Sequence, residues 1–391
     1  MKELQKGLAV SVRGASHYKD NKPMQDYSAS VVGDKFAIAV VCDGHGADKH
    51  FRSEIGSKLA TEIALTKLQD FYGLNSTYEQ LNTNTSLKIE RLKLAIISDW
   101  QAQVEKYTKD NPFTEAEMAK ASPRLLKKMS YDVSQPYGST LLASLVCQDY
   151  YLSLMIGDGA IIKIGKKFAA ETVSFEGKVE YTDAPHSATD SLCQEDVHEK
   201  LFVTYGKIEA GKPFAMALCS DGFTESLFFP KESDLIRKAN NYLNFYAEEG
   251  LEKATEAVEA QLNEITKGAY PWDDISIAYC TLDLSPFDKR LWKEEVVEQP
   301  SKTDDAEQQQ QQSVEQQPAK QQFAVKQPVE PKAETEQKDD GKAEKKVSCD
   351  VAVDNADDNL SEDDFAQDVK SQEKAVADIQ EIKDDTQETN E

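Results

Sequence analysis

The chain has 391 residues, 39% of them hydrophobic, and a net charge of −25 at pH 7. That acidity argues against non-specific binding to nucleic acid, itself a polyanion. The longest apolar runs are strand-sized, and the N-terminus has no basic segment followed by an apolar core, so a cytoplasmic protein without a membrane span is expected.

In chain order, apolar and β-branched runs predict strands at 8–13, 27–32 and 36–42. Ile55, Leu59 and Ile63, spaced by four, predict a helix over 51–71, with the stripe lapsing at Lys67. Ile89, Leu92, Ile96 and Trp100 predict another over 87–107. Residues 108–135 read as irregular. Strands follow at 140–147, 151–156 and 160–164, then a second irregular stretch over 166–200. Strands at 201–205 and 214–219, helices at 232–246 and 251–265, and a strand at 275–281 complete the series. Strands at both ends with helix pairs between them predict a central β-sandwich with helices outside. Six scattered cysteines, Cys42 and Cys219 among them inside apolar runs, read as reduced thiols.

Composition changes near residue 295. Residues 291–391 hold 12 Lys against 28 Asp and Glu, with no Arg and with an unbroken Gln run at 308–312. Such a segment cannot bury enough apolar surface to offset its ordering entropy. Residues 1–290 are therefore expected to fold, and 291–391 to form a disordered acidic tail with a transient helix at 360–382. The tail reads first as a solubilising extension and second as a docking segment for a protein partner.

Acidic residues recur where the predicted strands start or stop. Asp43-Gly44-His45-Gly46 follows 36–42 and puts a carboxylate, a bare backbone and an imidazole on one turn. Gly44 has no side chain, so its carbonyl can approach an ion closely. Gly157-Asp158-Gly159 follows 151–156, Ser220-Asp221-Gly222 follows 214–219, Gln25-Asp26 precedes 27–32, and Asp273-Asp274 precedes 275–281. Strand ends can gather such residues however far apart they lie in the chain. Oxygen-only ligands select hard cations, Mg²⁺ or Mn²⁺, over zinc. Each motif alone is also an ordinary turn, since Asp-Gly is common there.

Taken in order, and with Gly138-Ser139-Thr140, these motifs resemble the metal-dependent protein phosphatases of the PP2C family over residues 7–284. The segment 13–26 is more similar to bacterial branches than to animal ones. The resemblance implies an α+β fold, a four-layer α-β-β-α sandwich, and hydrolysis of phosphoserine or phosphothreonine in proteins by a water bridging two divalent cations. It implies that Asp43 bridges both ions, that Gly44 ligates one through its carbonyl, and that Asp221 and Asp273 complete the first ion's ligands. Asp26 would hold metal-bound waters. Asp158, Asp221 and Glu225 match the positions that hold a third, weaker ion in some members. His45 matches the general acid, a role suited to an imidazole near neutral pH. A monomer acting on a phosphoprotein substrate is expected.

The sequence departs from the family pattern at several positions. Asn21 stands where many members have an arginine, leaving Lys22, Lys19 or Arg13 to supply phosphate charge without the same fork or place. Gln25 replaces the acidic residue usual before Asp26, and Ala47 and Gly159 replace a glycine and a serine. Plainer readings stand beside the functional ones. His17 is a phosphate contact or a structural residue, and His50, His186 and His198 read as surface or loop residues. Asp274 reads as a hydrogen-bonding group, Glu225 as a helix-terminus charge, and Gly138-Ser139-Thr140 as a turn entering a strand. Two other functions use the same residues: a pseudophosphatase acting as a binding module, and a metal-dependent hydrolase of small phosphoesters. Loss of metal carboxylates would favour the first, and turnover of nucleotides or sugar phosphates the second.

Overall fold

A computed structural model describes residues 4–175, 189–226, 232–267 and 273–292. Within them the strands are β1 (Gln5–Lys6), β2 (Ala9–Val12), β3 (Tyr27–Val32), β4 (Phe36–Cys42), β5 (Leu141–Cys147), β6 (Tyr150–Ile156), β7 (Ala160–Ile164), β8 (Ala170–Thr172), β9 (Phe202–Lys207), β10 (Ala215–Cys219) and β11 (Ile275–Thr281). They form two antiparallel sheets, one in the order β1-β3-β4-β5-β6-β9 and the other in the order β2-β11-β10-β7-β8. The helices are α1 (Ala15–Lys19), α2 (Ser53–Leu74), α3 (Tyr78–Asn82), α4 (Thr85–Asp110), α5 (Glu115–Met118), α6 (Pro123–Met129), α7 (Val197–Lys200), α8 (Asp221–Glu225), α9 (Glu232–Glu249) and α10 (Leu251–Thr266).

The alternation of side chains along each strand makes the layers. In β4, Ile38, Val40 and Cys42 face α2 and α4 in a core with Ala60, Leu68, Ile96 and Trp100. Ala37, Ala39 and Val41 face the opposite way, into a second core with Met216, Leu218, Ala278 and Cys280 of the other sheet. Beyond that sheet, Ala217, Ile275, Ile277 and Tyr279 pack on Leu235, Tyr242, Leu243 and Val258 of α9 and α10. Three cores between four layers make an α-β-β-α sandwich. Because both faces of the central strands are covered, these strands are apolar along their whole length rather than alternating with polar residues.

Several elements differ from the sequence expectation. The buried face of α2 is Gly56, Ala60, Ile63, Ala64, Leu68 and Phe71, while Ile55 and Leu59 are only half-buried. The reason is close approach: a Cβ at Gly56 would lie 1.8 Å from the Tyr137 carbonyl oxygen, and the Gly56 carbonyl accepts the Trp100 indole N–H at 3.0 Å. The stretch 108–135 is not wholly irregular. It contains the end of α4, then α5 opened by a Thr114–Glu117 capping box and α6 opened by Ser122 and Pro123. The second irregular stretch holds β8 and α7; its residues 176–188, and with them His186, lie outside the described residues. The predicted tail also lies outside them, apart from Leu291 and Trp292. Trp292 packs 5.7 Å from Phe168 and donates its indole N–H to Pro286. The five described cysteines are buried free thiols, and no described helix is long and apolar enough to cross a membrane.

Candidate active site

The turn after β4 is splinted by the entry to β5. Asp43 N–H donates to Thr140 Oγ1 at 2.9 Å, Thr140 N–H returns a bond to the Asp43 carbonyl at 2.8 Å, and His45 N–H donates to the Gly138 carbonyl at 3.2 Å. Gly44 forms an isolated bridge with Ser139. The Gly138-Ser139-Thr140 segment is thus a brace for the Asp43 turn, and its Ser139 carbonyl also accepts Leu192 N–H at 2.9 Å. Position 44 admits only glycine, since a Cβ there would stand 2.5 Å from the Gln25 carbonyl oxygen and 2.8 Å from that of Ser53.

The ends of β4, β10 and β11 and the start of β3 converge on this turn. The Asp43 and Asp221 carboxyls lie close enough for each to shift the other's pKa. Burial, then the charges of Asp26 and Asp221, hold Asp43 well above the usual carboxylate range. Burial also raises Asp221, to about 6, against the hydrogen bond from Asp43 and with the charges of Asp158, Asp273 and Glu225. Asp26 is raised by burial and by Asp274, while a hydrogen bond from Ser276 opposes the shift. Asp158 sits on the Asp221 side, accepting a hydrogen bond from Thr189 at 2.5 Å. The fold therefore gathers Asp26, Asp43, Asp221 and Asp273, with Asp158 and Glu225 at the Asp221 edge. Asp26 Oδ2 and Asp221 Oδ1 are buried without a hydrogen-bond partner among the described residues. Buried carboxylate oxygens left in this way call for a cation, and the all-oxygen donor set suits a hard divalent one.

The segment between β2 and β3 closes the site from the far side. Asp274 accepts hydrogen bonds from Gly14 N–H at 2.7 Å, Gln25 N–H at 2.5 Å and Asp26 N–H at 3.3 Å. Its hydrogen-bonding role is thus to tie residues 14–26 to the start of β11. His17 is buried, with Nε2 3.0 Å from Asp273 Oδ1 and Nδ1 2.9 Å from Asp274 Oδ1. Burial lowers the affinity of this ring for a proton, but its hydrogen bonds with Asp273 and Asp274 outweigh that and raise its pKa to about 9. Burial likewise acts to raise Asp273, yet the His17 bond holds it below the usual range. The Gln25 amide donates to Ser53 Oγ at 2.5 Å and to the His45 carbonyl at 3.3 Å, bracing α2 and the turn together.

Asn21 has a positive φ of 54°, a conformation that Asn tolerates and that a longer side chain such as Arg adopts at a cost. The neighbouring Lys22 instead reaches the Asp43 turn, its Nζ donating to the Gly46 carbonyl at 2.7 Å. Sequence reasoning weighed His17 and Lys22 without placing either. The partners of His17 lie immediately before β11, and nothing local signals them.

His45 is mostly buried, and its Nε2 has no hydrogen-bond partner among the described residues. Burial, then the charge of Lys49, pushes its pKa down to about 4. Its ring lies 4.8 Å from that of His50. His50 is not a surface residue: it is 4% exposed, Nδ1 donates to the Gln135 carbonyl at 2.6 Å, and burial followed by His45 lowers its pKa to about 3. The two rings, with Lys49, Gln135, Thr189 and Gln194, line a cavity of about 390 Å³ beside the turn. His198 is on the surface, paired with Glu90 at 2.7 Å.

The family model for protein phosphatase 2C matches residues 13–265, which include every strand-end carboxylate named above except Asp273 and Asp274. The chain belongs to the protein phosphatase 2C family of serine/threonine phosphatases. This phosphatase is similar in structure to the serine/threonine phosphatase PstP/Ppp of Mycobacterium tuberculosis, with 16% identity over 71% of this chain and 97% of the other and a TM-score of 0.41. It is similar to the catalytic domain of PstP in complex with two manganese ions, at 18% identity over 72% and 99% of the chains and a TM-score of 0.41. It is also similar to the serine/threonine phosphatase Stp1 of Staphylococcus aureus, at 15% identity over 72% and 96% of the chains with a TM-score of 0.41. No curated protein sequence matches it.

Proposed function

We propose that this phosphatase hydrolyses phosphoserine and phosphothreonine in proteins with two divalent cations, Mg²⁺ or Mn²⁺, held by the strand-end carboxylates. The observation that carries the reading is the pair of buried, unpartnered oxygens on Asp26 and Asp221 beside Asp43, which burial and the neighbouring charges of Asp26 and Asp221 hold well above the usual carboxylate range. Asp43 would bridge the ions, with the Gly44 carbonyl, Asp221 and Asp273 as further ligands and Asp26 behind them. Asp158, Asp221 and Glu225 would hold a third. Bound there, such cations neutralise charge on the phosphoryl oxygens and activate a water for in-line attack.

The chain's own groups supply the rest. Lys22 Nζ, anchored on the Gly46 carbonyl, is the cation placed to meet a phosphoryl oxygen, in the role of the arginine that Asn21 replaces. His45 Nε2 carries the proton for the leaving serine or threonine oxygen. Burial keeps this ring neutral by itself, so the dianionic phosphoryl group must favour the imidazolium as it docks. The folded catalytic unit is residues 1–290, with the acidic tail as a solubilising extension.

Phosphate release from a phosphothreonine peptide, with Mn²⁺, Mg²⁺ or chelator, tests the reading. Wild type should release phosphate only with metal, and Asp43→Asn should lose at least about 10²–10³-fold in rate while keeping its fold. In the same assay His45→Ala should slow the peptide far more than an activated aryl phosphate; equal slowing would remove His45 from the acid role. Folded wild type inert with both metals would turn the reading to a binding module. Release from nucleotides or sugar phosphates alone would turn it to a small-phosphoester hydrolase.

A further inference from the structure

One imidazole stands between two adjacent carboxylates at the start of β11. His17 Nε2 is 3.0 Å from Asp273 Oδ1 and Nδ1 is 2.9 Å from Asp274 Oδ1, and the three donors lie within 4.8 Å of one another. The two carboxylates differ in how they are used. Asp274 is 1% exposed, and both its oxygens are committed to backbone N–H groups of Gly14, Gln25 and Asp26. It cannot turn toward a cation without releasing the segment that carries Asp26. The Asp273 side chain is half-exposed. Its Oδ1 takes both His17 and the Asp274 N–H, the latter at 2.8 Å, which leaves Oδ2 as the oxygen for a cation.

His17 itself is fixed from behind. Its carbonyl accepts Arg13 Nη2 at 2.9 Å and Lys22 N–H at 2.9 Å, and the Arg13 guanidinium lies 4.3 Å from the centre of the Tyr18 ring. The same turn thus sets the ring of His17 and delivers Lys22 to Gly46. One family departure also falls on these contacts: Gln25, where an acid is usual, lacks a negative charge, and its N–H is taken by Asp274. Asp274 already takes its donors from the backbone N–H groups of Gly14, Gln25 and Asp26, so it is Asp273 that depends on His17 for a side-chain partner.

We infer that His17 is a positioning residue of this phosphatase, which orients the Asp273 carboxylate for a divalent cation. The inference rests on the proposed metal centre. Imidazole N–H groups that hold carboxylates in this way set ligand orientation, and loss of such a partner costs about 10–100-fold in metal affinity. A bare structural clamp would lower thermal stability and leave the affinity of the folded protein unchanged.

The test is Mn²⁺ titration of the metal-free full chain by calorimetry, with electron spin echo spectroscopy of the bound Mn²⁺, for wild type, His17→Ala, His17→Gln and His17→Asn. His17→Ala should weaken Mn²⁺ binding about 10–100-fold. Gln, whose amide reaches the place of Nε2, should recover more of it than Asn, whose amide reaches the place of Nδ1. Should the Ala variant fail to fold, the Gln–Asn comparison decides, and equal affinities overturn the inference. Affinity within about twofold of wild type in folded His17→Ala overturns it as well. A nitrogen coupling to Mn²⁺ that disappears in the variants would make His17 a ligand and overturn the positioning role. No Mn²⁺ binding by wild type would overturn the metal centre and this inference with it.

Discussion

At the scale of single residues, the site is dominated by carboxylates that the fold holds too close to ionise together. Asp221 has its pKa raised from 3.8 to about 6, first by burial, and His17 from 6.5 to about 9 by its bonds to Asp273 and Asp274 against burial. Both groups bind protons more tightly folded than unfolded. The stability each contributes is complete below its unfolded value and is lost as pH rises through its folded value. Asp221 therefore weakens the metal-free protein between about pH 4 and 6, and His17 between about pH 6.5 and 9. Together these losses amount to a few kcal/mol in order of magnitude. With chelator present, the melting temperature should fall as pH rises from 7 to 9, above the range in which the lowered pKa values of His45 and His50, about 4 and about 3, make stability rise with pH. Saturating Mn²⁺ should flatten the curve, because a cation replaces the proton on Asp43 and Asp221. A melting temperature that is flat or rising over that range in chelator would contradict this account.

At the scale of elements, α2 shows how a periodic stripe can mislead. Ile55, Leu59 and Ile63 mark the correct helix, but the face turned to the sheet carries Gly56, Ala60 and Ala64, because small residues let the helix approach Tyr137 and β4. Hydrophobicity reports what a helix can bury and says nothing about how near its neighbour lies. Two glycines of the same helix should separate these effects. Gly56→Ala would force its Cβ against the Tyr137 carbonyl and should cost roughly 3 kcal/mol, the upper end of overpacking. At Gly73 nothing lies within 4 Å of a built Cβ, so Gly73→Ala should stabilise by about 0.5–1 kcal/mol through helix propensity. Urea unfolding of the two variants reads both; equal midpoints would refute the close-approach argument. The short helices α5 and α6 were legible in principle, as Thr-x-x-Glu and Ser-Pro signals at 114–117 and 122–123. They went unread for want of a periodic stripe. Buried Arg52, forked onto Glu117 at 2.7 and 3.0 Å and bonded to Tyr137 at 2.8 Å, ties that region to the start of α2.

At the scale of the whole molecule, the acidic tail belongs to composition and the catalytic centre to topology. If the tail only solubilises, a chain ending at Trp292 should turn over a short phosphopeptide at a rate within about twofold of the full chain, since the charges removed are screened beyond roughly 10 Å. A larger loss, measured as kcat/KM, would give the tail a part in catalysis. The amino-acid sequence by itself determined nine of the eleven described strands, each a short apolar run with turn residues at its ends, but not the polar β1 and β8. It also determined the strand-end positions of Asp26, Asp43, Asp158, Asp221 and Asp273, and the family they suggest. Both are local patterns. The tertiary structure alone decided which of those carboxylates lie close enough to raise one another's pKa, which face of α2 is buried, and that His50 is interior. It alone set His17 against Asp273 and Asp274, in a region where Gly14 and Asp274 bond across 260 residues. Such pairings depend on sheet order and on distances of a few ångströms, which come into being only when two sheets close over one core.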